Sequence, residues 1–333
     1  MTHTTGAVRR TGTFWLGELD KLIDLACEVA AAALVLIEIG ILFAGVVWRY
    51  ALDNPLVWSG ELAEVLFLWL VSLGAVIALR RSEHMRMTVF ISRVSPRMQR
   101  ALARGSALVI AIFTCVLVVP GITYMEQQQA ITMPTLQIPG SWEIAGELAA
   151  LAILLFTAIR QFIAGPTWRE LAVTLGIGLA IGVALWLLEP WLQDIGNADL
   201  LIFFVAMVGV CIICGVPIAF GFGISTAAYI FYTSSIPLSI IISQMNQGMA
   251  SIELLAVPMF VVLGLLLEMS GIARALVDCL SALVGNRRGG LSYSLIGAMY
   301  LVAGISGSKA ADQAAIAPVL LPEMKRRGAH PGE

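Results

Sequence analysis

The chain has 333 residues, of which 59% are apolar and only 13% charged, with a mean hydropathy of +0.89 and a net charge of −2. Soluble domains carry about a quarter charged residues, so this composition excludes one, and the slight acidity offers no basic surface for nucleic acid. Three histidines and five scattered cysteines give no metal framework, and Cys211-x-x-Cys214 lies in an apolar run without a second pair, where it reads as small buried residues.

Residues 1–20 are mixed polar, and the apolar run from Leu22 to Trp48 is too long for a signal-peptide core and has no small-residue cleavage site. It reads as an uncleaved first span. Further spans are expected at 62–79, 105–120, 144–164, 171–188, 199–214, 215–233 and 254–270. All should be helical, because lipid offers backbone groups no other partner and alternating barrel strands are absent. Between the second and third spans, residues 80–104 are amphipathic and rich in arginine, suited to an anionic membrane surface. Glu38 lies mid-span and must face protein. Glu61 and Glu64 start the second span, where they read as structural, capping the helix or docking another subunit. Trp48, Trp58, Trp142, Trp186 and Trp191 fall where an interfacial aromatic belt is expected.

Lys and Arg cluster around 9–21, 80–104, 160–169, 274–288 and 325–327, whereas 121–143, 189–198 and 234–253 contain none. This alternation is the positive-inside pattern and places the N-terminus in the cytoplasm of a bacterial inner-membrane protein. Both flanks of the apolar stretch 291–322 are basic, so it should enter and leave on one side. Its middle, Gly304-Ile305-Ser306-Gly307-Ser308, breaks the helix. Each arm would be about 21 Å long, too short for a core of about 30 Å. A re-entrant helical hairpin fits, and the fold class is all-α and polytopic with that hairpin near the C-terminus. Unwound backbone at Ser306, Gly307 and Ser308 suits Na⁺ through carbonyl and hydroxyl oxygens, and helix N-termini suit a carboxylate. Lys309 and Asp312, at i and i+3, either pair with each other or serve a ligand. A Gly/Ser helix-packing face is the structural alternative.

Three segments are expected: a four-helix domain at 1–165, a connecting transmembrane helix at 166–198, and the start of a second membrane domain at 199–333. In the first, Arg49-Tyr50, Asn54-Pro55, Trp58-Ser59-Gly60-Glu61-Leu62-Ala63, Trp69-Leu70, Leu73-Gly74-Ala75 and Leu79-Arg80-Arg81-Ser82-Glu83-His84 resemble the small membrane subunit of tripartite ATP-independent periplasmic (TRAP) transporters. In the last, Gly215-Val216-Pro217-Ile218-Ala219-Phe220, Leu254-Leu255-Ala256-Val257-Pro258-Met259-Phe260, Arg288-Gly289-Gly290-Leu291, Gly304 to Ser308, Ala311-Asp312 and Pro322-Glu323-Met324 resemble the beginning of the large subunit.

The resemblance implies a fused permease that is not an enzyme. It implies a periplasmic solute-binding protein as partner and an organic anion such as a C4-dicarboxylate or sialic acid as substrate. It further implies Na⁺ as coupling ion, with no other cofactor, and an elevator-type motion in the bilayer. Carried over by position, Ser306, Gly307 and Ser308 would form the Na⁺ and substrate site, with Asp312 in support. Lys309 departs from the family, where that position is small or apolar; its ammonium would replace part of a coupling cation or contact the substrate. The chain holds about one of the large subunit's two inverted repeats, which suggests an early stop or a fragment. The alternative functions are therefore a non-transporting membrane scaffold or an inactive truncated piece. An intramembrane enzyme would need a second ionisable cluster facing the hairpin.

Overall fold

The computed structural model describes residues 14–87, 89–164 and 168–270, together with a few isolated positions beyond them. Every regular element among the described residues is helical, apart from one isolated bridge between Thr132 and Pro139. In chain order these are α1 (Phe14–Ala51), α2 (Trp58–Arg80), a short 3₁₀ turn (Ile91–Arg93), α3 (Pro96–Gln129), α4 (Ser141–Ile163) and α5 (Trp168–Asp194). A continuous helical run follows, formed by α6 (Ala198–Leu200), a π-helical stretch (Leu201–Met207) and α7 (Val208–Ile213). Then come α8 (Ile218–Thr233), α9 (Ser239–Met249), α10 (Ile252–Leu255) and α11 (Val257–Met269). Among the described residues five helices, from α1 to α5, are long and apolar enough to cross a bilayer. The protein is therefore an all-α polytopic membrane protein.

The helices run longer than the hydropathy windows because polar residues continue them beyond the apolar core. The third span, expected over 105–120, extends from Pro96 to Gln129. Pro96 opens it at the position where a missing N–H costs nothing, and the Ser95 side chain accepts the Met98 N–H at 3.4 Å. The span expected at 199–214 is shifted by one residue, to Ala198–Ile213, and the one expected at 215–233 is shorter, Ile218–Thr233. Gly215, at φ +79°, and Pro217 separate them. The segment 234–253, expected to be a loop, contains the helix α9. Its Ile241, Ile242 and Asn246 are buried on one face, and that 3.6-residue spacing is masked in a hydropathy average by Ser243, Gln244 and Gln247.

The chain divides into two compact units, residues 1–36 with 57–250, and residues 37–56 with 251–333. In the first unit α3 is central, packing chiefly on α4 and also on α8, α9 and α5, while α2 packs on α4. The core joins Val76, Ile110, Phe113, Leu117, Ile144, Leu151, Leu154, Phe220 and Ile242. Gly146 lets α2 and α4 approach, since a Cβ there would stand 3.0 Å from the Trp69 ring. The Trp69 indole N–H also donates to the Trp142 carbonyl at 2.8 Å. Outward faces are apolar, notably along α5, where Leu179 is 71% and Trp186 62% exposed, as lipid contact requires. In the second unit the Asn54 N–H donates to the Trp48 carbonyl at 3.1 Å, turning the chain at the end of α1. Glu38 is fully buried, as its place in an apolar span demands, and neither of its oxygens has a hydrogen-bond partner among the described residues.

Candidate functional site

Ser306, Gly307, Ser308, Lys309 and Asp312 lie outside the described residues, as does the expected hairpin. The described residues instead assemble two polar clusters at opposite ends of α2 in the first unit.

At the basic end, Arg80 closes α2 with its side chain only 10% exposed. Its Nε donates to the Asp24 carboxylate, Nη2 to the Asp20 carbonyl at 2.9 Å, and Nη1 to Thr157 Oγ1 at 3.3 Å. Arg80 Nη2 also lies 3.5 Å from Asp20 Oδ1, and Arg160 of α4 reaches Asp20 Oδ2 at 2.7 Å. Three helix ends are thereby tied by charge. Arg81 pairs with Glu28 at 2.7 Å, but both side chains are about half exposed.

Beyond Arg80 the chain turns at Ser82, φ +56°, and the loop carries His84 inward. The His84 Nε2–H donates to the Ala75 carbonyl at 2.9 Å, and its ring meets Phe220 edge-on at 5.3 Å. Burial pushes the imidazole below its ordinary value of 6.5, with the Ala75 hydrogen bond a smaller opposing influence. The Met85 carbonyl accepts the Ile218 N–H at 3.0 Å, so the loop is stitched to the start of α8. Between this loop, α3, the end of α4 and Cys214 to Pro217 lies a cleft of about 580 Å³.

At the other end, Glu61 clamps a loop of its own chain. Its carboxylate accepts the Thr135 N–H at 2.9 Å and the Leu136 N–H at 2.8 Å, holding the α3–α4 loop. Glu64 stands one turn further along α2. Beside them α4 presents Glu143 and Glu147, and α9 presents Asn246, whose amide neighbours both α4 carboxyls. Glu147 and Asn246 are 3% and 7% exposed, and both Glu147 oxygens and the Asn246 nitrogen lack hydrogen-bond partners among the described residues. Such a group can hold a proton. Among the described residues no group of three or more His, Cys, Asp or Glu has metal-binding geometry.

The sequence reading passed over Glu143, Glu147 and Asn246. Glu147 carried a usable signal, a lone acid inside the apolar run Ile144 to Phe156, but its juxtaposition with α9 did not. Cys211 and Cys214 are both free thiols; Cys211 is buried as expected, whereas Cys214 is only partly buried.

Comparison with known proteins assigns the two parts of the chain. Residues 38–167 match the family described as tripartite ATP-independent periplasmic transporters, DctQ component, and residues 204–333 match its DctM component. The sialic acid TRAP transporter permease protein SiaT of Haemophilus influenzae is 24% identical over 323 residues, covering 92% of this chain and 52% of that protein. The isethionate TRAP transporter permease protein DctMQ of Oleidesulfovibrio alaskensis is 25% identical, covering 82% of this chain and 42% of that one. The 2,3-diketo-L-gulonate TRAP transporter large permease protein YiaN of Escherichia coli is 36% identical over 111 residues, covering 33% of this chain and 26% of its own length. The chain spans about half the length of the fused relatives it matches.

Proposed function

Because this chain belongs to the tripartite ATP-independent periplasmic transporter family, with its small and large membrane components joined in one polypeptide, we propose that it serves a Na⁺-coupled importer of organic anions. A periplasmic solute-binding protein delivers the substrate, and the N-terminus lies in the cytoplasm. The observation that carries this reading is the order of the two component matches, small then large, along a single multi-pass inner-membrane chain. The names of the relatives, which specify sialic acid, isethionate, 2,3-diketo-L-gulonate and C4-dicarboxylates, support this substrate class. All are anions at neutral pH, and a carboxylate is the commonest feature among them.

In this reading the bend at Ser306, Gly307 and Ser308 supplies oxygens for Na⁺ and N–H groups for the anion, in an elevator-type movement. Asp312 supports the cation site. The Lys309 ammonium, one residue past the bend, either replaces part of a coupling cation or touches the substrate's negative group. The α1–α4 bundle, with its charge-tied helix ends, is suited to be the stationary scaffold.

The test is uptake of labelled organic acids into proteoliposomes, using the full reading frame and the solute-binding protein encoded with it. Uptake should require both that protein and an inward Na⁺ gradient. Uptake driven by ATP, or unaffected by omitting the binding protein, would refute the proposal. Lys309→Ala should change the Na⁺ dependence or the apparent substrate affinity; unchanged values in both would remove Lys309 from the site.

A further inference from the structure

The cleft at the basic end of the first unit carries charge that the scaffold does not use. Among the described residues three arginines line it: Arg86 from the loop after α2, and Arg100 and Arg104 from the first turns of α3. Arg104 is committed, since its Nη1 lies 2.6 Å from Glu170 and its side chain is only 12% exposed. Arg86 and Arg100 are exposed and have no carboxylate within ion-pair distance among the described residues. Among the described residues no acidic side chain lines the cleft, and Ser82, Gln99 and Gln161 add neutral polar groups. Its volume, about 580 Å³, is ordinary for a small-ligand pocket.

Its position defines the ligand further. The cleft opens where α2 ends at Arg80 and α3 begins at Pro96, the level at which membrane helices meet the headgroup layer. Beside it the loop exposes Met85, Met87, Val89 and Phe90, at 70%, 42%, 53% and 46%. A soluble phosphate has no use for such an apolar margin, whereas the glycerol and upper acyl segments of a lipid do. The walls are also fixed. Met85 is bonded to Ile218, and Gly215 packs against Ile91 so closely that no side chain fits there.

We infer that this cleft binds the phosphate headgroup of an anionic phospholipid, with Arg86 and Arg100 as the anion-contacting residues. The inference does not depend on the transported substrate or on the residues beyond 270. Guanidinium groups suit it because their forked donors match phosphate oxygens, and their attraction is strongest at the desolvated membrane surface.

The test uses the purified full chain, delipidated in neutral detergent and titrated with phosphatidylglycerol, phosphatidylcholine or inorganic phosphate. Binding is read by the rise in unfolding temperature and, for lipids, by native mass spectrometry. Phosphatidylglycerol should bind at least about tenfold tighter than phosphatidylcholine, and Arg86→Gln with Arg100→Gln should weaken it roughly 25-fold, at about fivefold per arginine. Arg93→Gln with Arg97→Gln removes the same charge from exposed positions outside the cleft and should leave the affinity within about twofold. If the first pair does not fold, Arg100→Gln alone carries the comparison. Equal weakening by both pairs would reduce the effect to general surface charge and overturn the site. Equal binding of the two lipids would also overturn it, as would inorganic phosphate reproducing the full thermal shift.

Discussion

Arg80→Ala tests whether charge, rather than apolar packing, seats α1 on the bundle. Along its first-unit portion α1 buries little beyond Cys27, while Leu22, Leu25 and Val29 are each about 60% exposed. The Arg80 guanidinium contributes the Asp24 pair, a 2.9 Å bond to the Asp20 carbonyl and a 3.3 Å bond to Thr157. Breaking a buried ion pair by removing one partner costs about 3–5 kcal/mol. Two features move the expectation to the low end. Asp24 is 47% exposed and rehydrates, and Asp20 keeps Arg160 at 2.7 Å. The expected loss is therefore about 3 kcal/mol, with a coupling of about 1–2 kcal/mol in a double-mutant cycle with Asp24→Asn. Reversible unfolding in mixed micelles measures the first, and hydrogen exchange over residues 14–36 should show α1 opening first. Arg81→Ala, which breaks the half-exposed pair with Glu28, is the internal control and should be nearly silent. If the two substitutions cost the same, the Arg80 network does not hold α1.

Three further outcomes follow from the geometry. Gly215→Ala forces a side chain into φ +79° and sets its Cβ 1.9 Å from Ile91 Cδ1, so a loss of about 2–3 kcal/mol is expected in the same unfolding assay. Glu61→Gln keeps the shape but removes the charge accepting the Thr135 and Leu136 N–H groups, so limited proteolysis within 130–140 should accelerate while Glu64→Gln leaves it unchanged. His84 has its folded-state value held below 6.5, so the unfolded chain binds its proton more readily. Its contribution is fully present above that pH and falls as pH drops through and below it. His84→Phe should flatten the fall in unfolding temperature between about pH 6.5 and pH 5, and an unchanged slope would assign the effect to other groups.

Hydropathy and the distribution of arginine were enough to establish a helical polytopic protein. The bilayer is a solvent in which only internally bonded backbone survives, so runs from Leu22, Leu62, Ile144 and Leu171 could hardly be anything but helices. The burial of Glu38 follows from the same rule, because a carboxyl in an apolar span must find protein. Composition could not reveal which side chains meet. Arg80 finds Asp24 across 56 residues of sequence and Thr157 across 77, and Glu61 reaches Thr135 across 74. Those contacts depend on helix rotation and loop path, which leave no periodic trace in the chain. The helix α9 went unread because its buried face is three residues wide and its polar face is equally populated. The cleft with Arg86 and Arg100 likewise arises only when the loop after α2 folds onto the start of α8. One-dimensional pattern thus determined what each segment is, because lipid rewards composition directly. Only tertiary structure decided what the polar residues do, because their partners are chosen by proximity in space.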